Sequence, residues 1–229
     1  MSEKRIQPAV ARRVFLSRLG SGVGLIGATF AASPALQAQS SAASGSSASW
    51  QPARHEQDDW YDQVPGKHRF VFDTTTPDGL ASALQFANNF FEANKTGYGL
   101  QDSDLAVILI ARHKSTAFGY NDTIWAKYSA ELSKQAVFVD PKTKEAPVVN
   151  TYATAGGRME GLIKRGVQVA ICQMATRAIA GQLARATNST QDAVFAELSA
   201  NLVPNGRLVP AGILAVNRAQ EHGYSFVAG

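Results

Sequence analysis

Leu105-Ala106-Val107-Ile108-Leu109-Ile110 is an unbroken apolar run. A strand with one wet face alternates apolar and polar side chains, so a run without alternation predicts a strand buried on both faces. Such strands belong to parallel sheets with helices on either side. The flanking sequence supplies both kinds of element. Upstream, His68-Arg69-Phe70-Val71-Phe72-Asp73 is aromatic and β-branched, as strands are. Thr76-Pro77 then marks a helix start, with Thr as cap and Pro at the first helical position. Leu80, Ala83, Leu84, Ala87, Phe90 and Phe91 recur at helical spacing and give that helix one broad apolar face.

Downstream the alternation continues. Asn121 or Asp122 can cap a helix carrying Ile124, Trp125, Tyr128 and Leu132. From Ser133 to Thr154 the pattern breaks: Val137-Phe138-Val139 suits a short strand, but Asp140-Pro141-Lys142 and Ala146-Pro147 mark turns, which predicts an insertion or hairpin. A short helix follows from Gly156 to Arg165, then a strand Val167 to Ile171, a helix from Gln173 to near Ala186 and another from Asp192 to Ala200. Arg207-Leu208-Val209 reads as a strand, Gly212 to Glu221 as a helix and Tyr224 to Val227 as a last strand. The expected fold is an α/β three-layer sandwich around a mainly parallel sheet of about five strands.

The beginning of the chain has a different character. Arg12-Arg13 with Val14-Phe15-Leu16 follows a basic stretch, an apolar glycine-rich region runs from Leu19 to about Ala32, and Leu36-Gln37-Ala38 suits cleavage. That layout predicts a twin-arginine export signal over 1–38, hence a periplasmic protein that is not membrane-bound once the signal is removed. Residues 39–60, rich in Ser, Ala and Gly at the start, are expected to form a flexible linker, with the domain over 61–229. The whole chain holds 22 Lys+Arg against 18 Asp+Glu, but residues 1–38 carry five of the bases and one of the acids. The remainder is therefore balanced, and a nucleic-acid partner, which needs a basic face, is not expected.

In parallel sheets the ligand lies beyond the carboxyl ends of the strands. That rule selects Asp73 and Thr74, Arg112 and His113, Cys172 and Gln173, and Gly212. Cys172 is the only cysteine, so the chain forms no internal disulfide. It stands where a strand ends and a helix begins, so the first amides of that helix favour a thiolate. Its helix also carries Thr176 and Arg177. The bland alternative is that a free cysteine is a small buried hydrophobe. His113, between Arg112 and Lys114, is either a proton carrier or part of a solvated basic loop. Asn121 and Trp125 lie in an unusually aromatic segment that suits a pocket or a subunit contact, or simple core packing. No spacing suits a zinc or iron site, and no G-x-G-x-x-G, Walker or G-x-S-x-G motif is present, so no metal or cofactor is expected.

Val167-Gln168-Val169-Ala170-Ile171-Cys172-Gln173-Met174-Ala175-Thr176-Arg177 resembles the strand–cysteine–helix signature of the DsrE/DsrF-like group, as does the end of the chain, Arg207 to Ile213 with Glu221-His222-Gly223-Tyr224. The resemblance covers roughly His68 to Gly229, with 133–154 as an insertion. It implies a small parallel α/β sandwich, assembly into a homo-oligomer such as a trimer or hexamer, and a cysteine that carries sulfur as a persulfide. That role falls on Cys172, with Arg177 or Arg112 drawing in a small sulfur-containing anion and His113 moving a proton. Two departures stand beside it: relay members work in the cytoplasm, and they lack such an insertion. The competing expectation is a non-catalytic oligomeric module with a ligand pocket near Asp73, Asn121 and Trp125. A redox flavoprotein is a third class, distinguished by colour.

Overall fold

The computed structural model describes residues 50–229. The expected signal over 1–38 and the first part of the linker lie outside them. Five strands form one sheet: β1 (His68–Thr74), β2 (Leu105–Ala111), β3 (Gln168–Cys172), β4 (Gly206–Val209) and β5 (Ser225–Ala228). Every pairing is parallel and the spatial order is β4-β3-β2-β1-β5. The helices are α1 (Trp60–Gln63), α2 (Pro77–Tyr98), α3 (Asp122–Ala136), α4 (Arg158–Lys164), α5 (Gln173–Thr187), α6 (Gln191–Ala200) and α7 (Gly212–Glu221). The chain is an α/β sandwich with helices on both faces of an all-parallel sheet.

All seven residues of β2 are buried, as its unbroken apolar run requires. Successive side chains point to opposite faces, so the strand feeds two cores. Val107 and Leu109 join Phe72, Val169 and Ile171 beneath α2 to α6. Ala106, Ile108 and Ile110 join Val71, Ala170 and Val209 beneath α1 and α7. The helix after β3 thus lies on one face and the helix after β4 on the other. Between these two strand ends the crossover direction reverses, the position at which parallel α/β sheets receive their ligands.

Helix α2 begins as its sequence predicts: Thr76 Oγ1 accepts the Gly79 N–H at 3.0 Å and Pro77 is the first helical residue. Asn121 caps α3 by accepting the Ile124 N–H, and α3 runs to Ala136. The stretch after it differs from expectation. Val137 closes the helix in the left-handed region, φ 55°, so Val137-Phe138-Val139 forms no strand. Residues 137–157 are turns tied down by Asn150, which is wholly buried. Its side-chain amide donates to the carbonyls of Phe118 (2.8 Å) and Tyr120 (2.7 Å), and Asp122 accepts its backbone N–H at 2.8 Å.

The packed domain also starts earlier than residue 61. A 3-10 turn over Glu56–Asp58 leads into α1, and Asp58, Trp60 and Tyr61 are buried. Tyr224 Oη donates to the Tyr61 carbonyl at 2.7 Å, and Tyr61 Oη to that of Ala215 at 3.3 Å. His222 Nδ1 lies 2.9 Å from Asp62 Oδ2 and 2.7 Å from Arg54 Nη1. The far partners, Ala215, His222 and Tyr224, belong to α7 and the turn after it, so the linker's composition gives no sign of the order within its final residues.

Candidate functional site

Strand β3 ends at Cys172, whose extended backbone makes it the N-cap of α5. Its Sγ accepts the Ala175 N–H at 3.5 Å, occupying the place where Ser or Asp usually caps a helix. The residue is 7% exposed, so the sulfur is largely covered by the strand-to-helix turn. Thr176 Oγ1, one turn on, donates to the Cys172 carbonyl at 2.9 Å and accepts from Tyr120 Oη at 2.9 Å. Burial, the largest cause, raises the Tyr120 phenol well above its usual range, the bond to Thr176 opposes, and the proximity of Cys172 adds to the rise. A neutral, buried tyrosine therefore braces the turn that holds the sulfur.

Arg112 follows β2 and reaches sideways to β1. Its Nε lies 2.8 Å from Asp73 Oδ1 and its Nη2 2.7 Å from Oδ2, a bidentate pair on a carboxylate that is 5% exposed. The hydrogen bonds that Arg112 donates to Asp73 raise its pKa most, burial opposes, and the proximity of Asp73 and then Cys172 adds to the rise. Arg112 and Cys172 thus share one electrostatic neighbourhood. Gly212 makes room for the guanidinium's stem: a Cβ there would stand 2.5 Å from Arg112 Cβ and 2.8 Å from Cδ. Ala211 contributes no capping side chain to α7, whose N-terminus therefore stands uncapped by a side chain beside the stem of Arg112.

Thr74 and Ser115 lock the strand ends behind this arginine. Thr74 Oγ1 lies 2.8 Å from the Ile110 carbonyl and 2.9 Å from Ser115 Oγ. Ser115 Oγ accepts the Arg112 N–H at 3.1 Å and lies 2.9 Å from the carbonyls of Thr74 and Arg112. Ser115 belongs to a 3-10 segment over His113–Gly119, which shows no apolar period; a serine shortly after a strand end was the available signal.

The candidate residues divide. Asp73, Thr74, Cys172, Thr176 and Gly212 gather at the strand ends with Arg112, and Gln173 opens α5 beside them. Arg177 is turned to α6, its guanidinium 4.0 Å over the Phe195 ring and 3.8 Å from Asp192. His113 is exposed, with φ 57°, and lines an open groove of about 640 Å3 together with Lys114, Glu131, Lys134 and Arg185. Asn121 is engaged by Asn201, and Trp125 is wholly buried with its Nε1–H donating to the Ala117 carbonyl at 3.1 Å. The expected pocket of Asp73, Asn121 and Trp125 is therefore not assembled, because Trp125 packs inward on Phe118.

Among the described residues no group of three or more His, Cys, Asp or Glu side chains is placed to hold a metal, and no helix is long and apolar enough to cross a membrane. The chain matches no protein-family model and no characterised protein at a significant level. The fold and the site define a parallel α/β sandwich with a covered thiol at the end of β3 and a clamped arginine at the end of β2.

Proposed function

We propose that the protein is a thiol-based sulfur carrier in which Cys172 holds a sulfane sulfur. The observation that carries this reading is the placement of Cys172 Sγ against the first amides of α5 at the end of β3, with the Asp73-clamped Arg112 at the end of the neighbouring strand β2. The Cys172 thiolate attacks the outer sulfur of an anion such as thiosulfate. An S–S bond forms to Cys172, the S–S bond of the donor breaks, and sulfite leaves with the electron pair. Charge is conserved: a thiolate and a dianion give a persulfide anion and a dianion. Arg112 offers Nη1, which has no hydrogen-bond partner among the described residues, to the donor's sulfonate. The limited exposure of Cys172 shields the persulfide from water and oxidants and calls for a small donor.

The Arg12-Arg13 leader supports a periplasmic setting for this carrier. Met174 and Ile213, 69% and 62% exposed on the first turns of α5 and α7, support a contact between copies beside the site. The test is intact mass after incubation with thiosulfate or polysulfide. One added sulfur, removed by reductant and absent in Cys172→Ser, is expected. No adduct, with Cys172 inert to iodoacetamide until the chain is unfolded, would leave the cysteine as packing and favour the non-catalytic binding module.

A further inference from the structure

The two edges of the sheet are built differently. At one edge, β4 contains Arg207 and is flanked by Pro204 and Pro210. Charge and proline keep an edge strand from pairing with another chain. At the other edge β5 has neither, within the neutral run Gly223-Tyr224-Ser225-Phe226-Val227-Ala228-Gly229. The Gly229 N–H donates to the Asp73 carbonyl at 2.8 Å. Alternation then directs the N–H and carbonyl groups of Phe226 and Ala228 away from β1 and out of the open edge.

The helix beside this edge is also uncharged. From Gly79 to Phe91, α2 holds no Asp, Glu, Lys or Arg over about 20 Å of helix. Helix α3, by contrast, carries Lys127, Glu131 and Lys134. The α2 helix and the edge touch, since a Cβ on Gly79 would stand 2.7 Å from the Gly229 carbonyl oxygen. Phe86, two turns on from Gly79 and on the same side of the helix, is 48% exposed. Phe226 pairs in register with Val71, whose side chain faces α7, and is 42% exposed. One large aromatic thus flanks the open edge on each face of the sheet, and the polar residues near Phe86, Ser82 and Asn89, are neutral. Aromatic residues without charge are what the centre of a protein interface contains.

We propose that β5 and the first half of α2 form the interface of a two-fold dimer, in which β5 pairs antiparallel with β5 of a second copy. The outward groups of Phe226 and Ala228 supply the hydrogen bonds, and α2 meets its counterpart on one face of the joined sheet. The occupant is a second copy because a two-fold axis lays the patch on itself, where any charge would face its like, and this patch has none. The guarded β4 edge keeps the sheet from growing further, so pairing through edges closes at two copies. Met174 and Ile213 follow β3 and β4, in the other half of the sheet, so this interface is separate from any contact beside Cys172. It does not depend on the sulfur-carrier reading.

The test is sedimentation velocity of the full chain from about 1 μM to about 100 μM, with amide hydrogen exchange at both ends of that range. Self-association is expected, with exchange at Phe226 and Ala228 slowed at the higher concentration. Phe86→Lys and Phe226→Lys each set like charges across the axis and are expected to raise the dimer Kd at least ~10-fold, about 1.4 kcal/mol. Met174→Lys leaves this dimer intact. Both phenylalanines are half-exposed, and the exchange measurement on the unsubstituted chain serves even where a lysine variant fails to fold. A monomer throughout the range would overturn the proposal and leave the edge to residues 1–49, to a different protein or to solvent. An oligomer unchanged in both lysine variants, one lost in Met174→Lys, or one whose Phe226 and Ala228 amides are not slowed would place the contact between copies elsewhere and also overturn it.

Discussion

Replacing Arg112 by Gln removes the cation from a carboxylate that has almost no access to water. Asp73 is 5% exposed and takes two charge-assisted hydrogen bonds from Arg112, at 2.8 and 2.7 Å. Breaking a fully buried pair by deleting one partner costs about 3–5 kcal/mol, whereas exposed pairs contribute under ~1 kcal/mol. The Arg112 side chain is 27% exposed, which moves the expectation to the middle of that interval. We expect Arg112→Gln to lose about 2–3 kcal/mol in urea unfolding with an unchanged m value. For a domain of this size that is a fall in Tm of about 5–10 °C. The double variant Arg112→Gln/Asp73→Asn removes the unpaired charge, so its loss should fall short of the summed single losses by about 1.5 kcal/mol. A loss below ~0.5 kcal/mol for Arg112→Gln, or additive single losses, would show that solvent screens the pair. The claim that Asp73 fixes the arginine beside Cys172 would then fail.

Three further outcomes follow from local geometry. Gly66 has φ 113°, and a Cβ there would stand 2.6 Å from the Ala106 nitrogen, so Gly66→Ala should cost about 3 kcal/mol in chemical unfolding. Val137 is β-branched, 68% exposed and left-handed at φ 55°, so Val137→Gly should raise stability by about 1 kcal/mol; a loss would mean that the valine contacts something the helix end needs. Arg165 lowers the Asp102 pKa, chiefly through hydrogen bonds at 2.8 and 2.9 Å. A depressed carboxylate stabilises the fold above its unfolded pKa and loses that contribution as pH falls through the folded one. Arg165→Met should therefore be less stable than the wild type at pH 7, with the gap closing below about pH 4; a gap that widens in acid would contradict this assignment.

The central strands were legible because burial on both faces removes alternation, and β2 shows that rule without exception. Thr76-Pro77 and the Asn121 cap were legible because a cap acts within four residues of itself. Cys172 could be placed at a strand end for the same local reason. Its companion could not: Arg112 meets Asp73 only because Asp73 pairs with Ile110 in the β1–β2 register, and nothing in either segment states that register. The position of β5 beside β1 was equally hidden, since hydrophobic periodicity identifies a strand but not its neighbour. Trp60 read as linker because a four-residue helix has too little period to detect and takes its order from α7 and from Tyr224. Trp125 lay in an unusually aromatic segment that suited either a pocket or core packing, and its indole is satisfied inside the core by the Ala117 carbonyl.

The position of β5 also bears on when the chain can finish folding. Strands β1 to β4 are added in chain order, each beside the one before, so most of the sheet can grow as the chain emerges. The last strand returns to β1, where Phe70 faces Ser225, at roughly four times the sequence separation of the β1–β2 pair. Closing that longer loop costs only ~1.2 kcal/mol more, so the delay is one of timing and not of stability. Until Ser225 is made, one edge of β1 stays open and can pair with another nascent chain. A partner that covered this edge during synthesis would protect the protein at its most aggregation-prone moment.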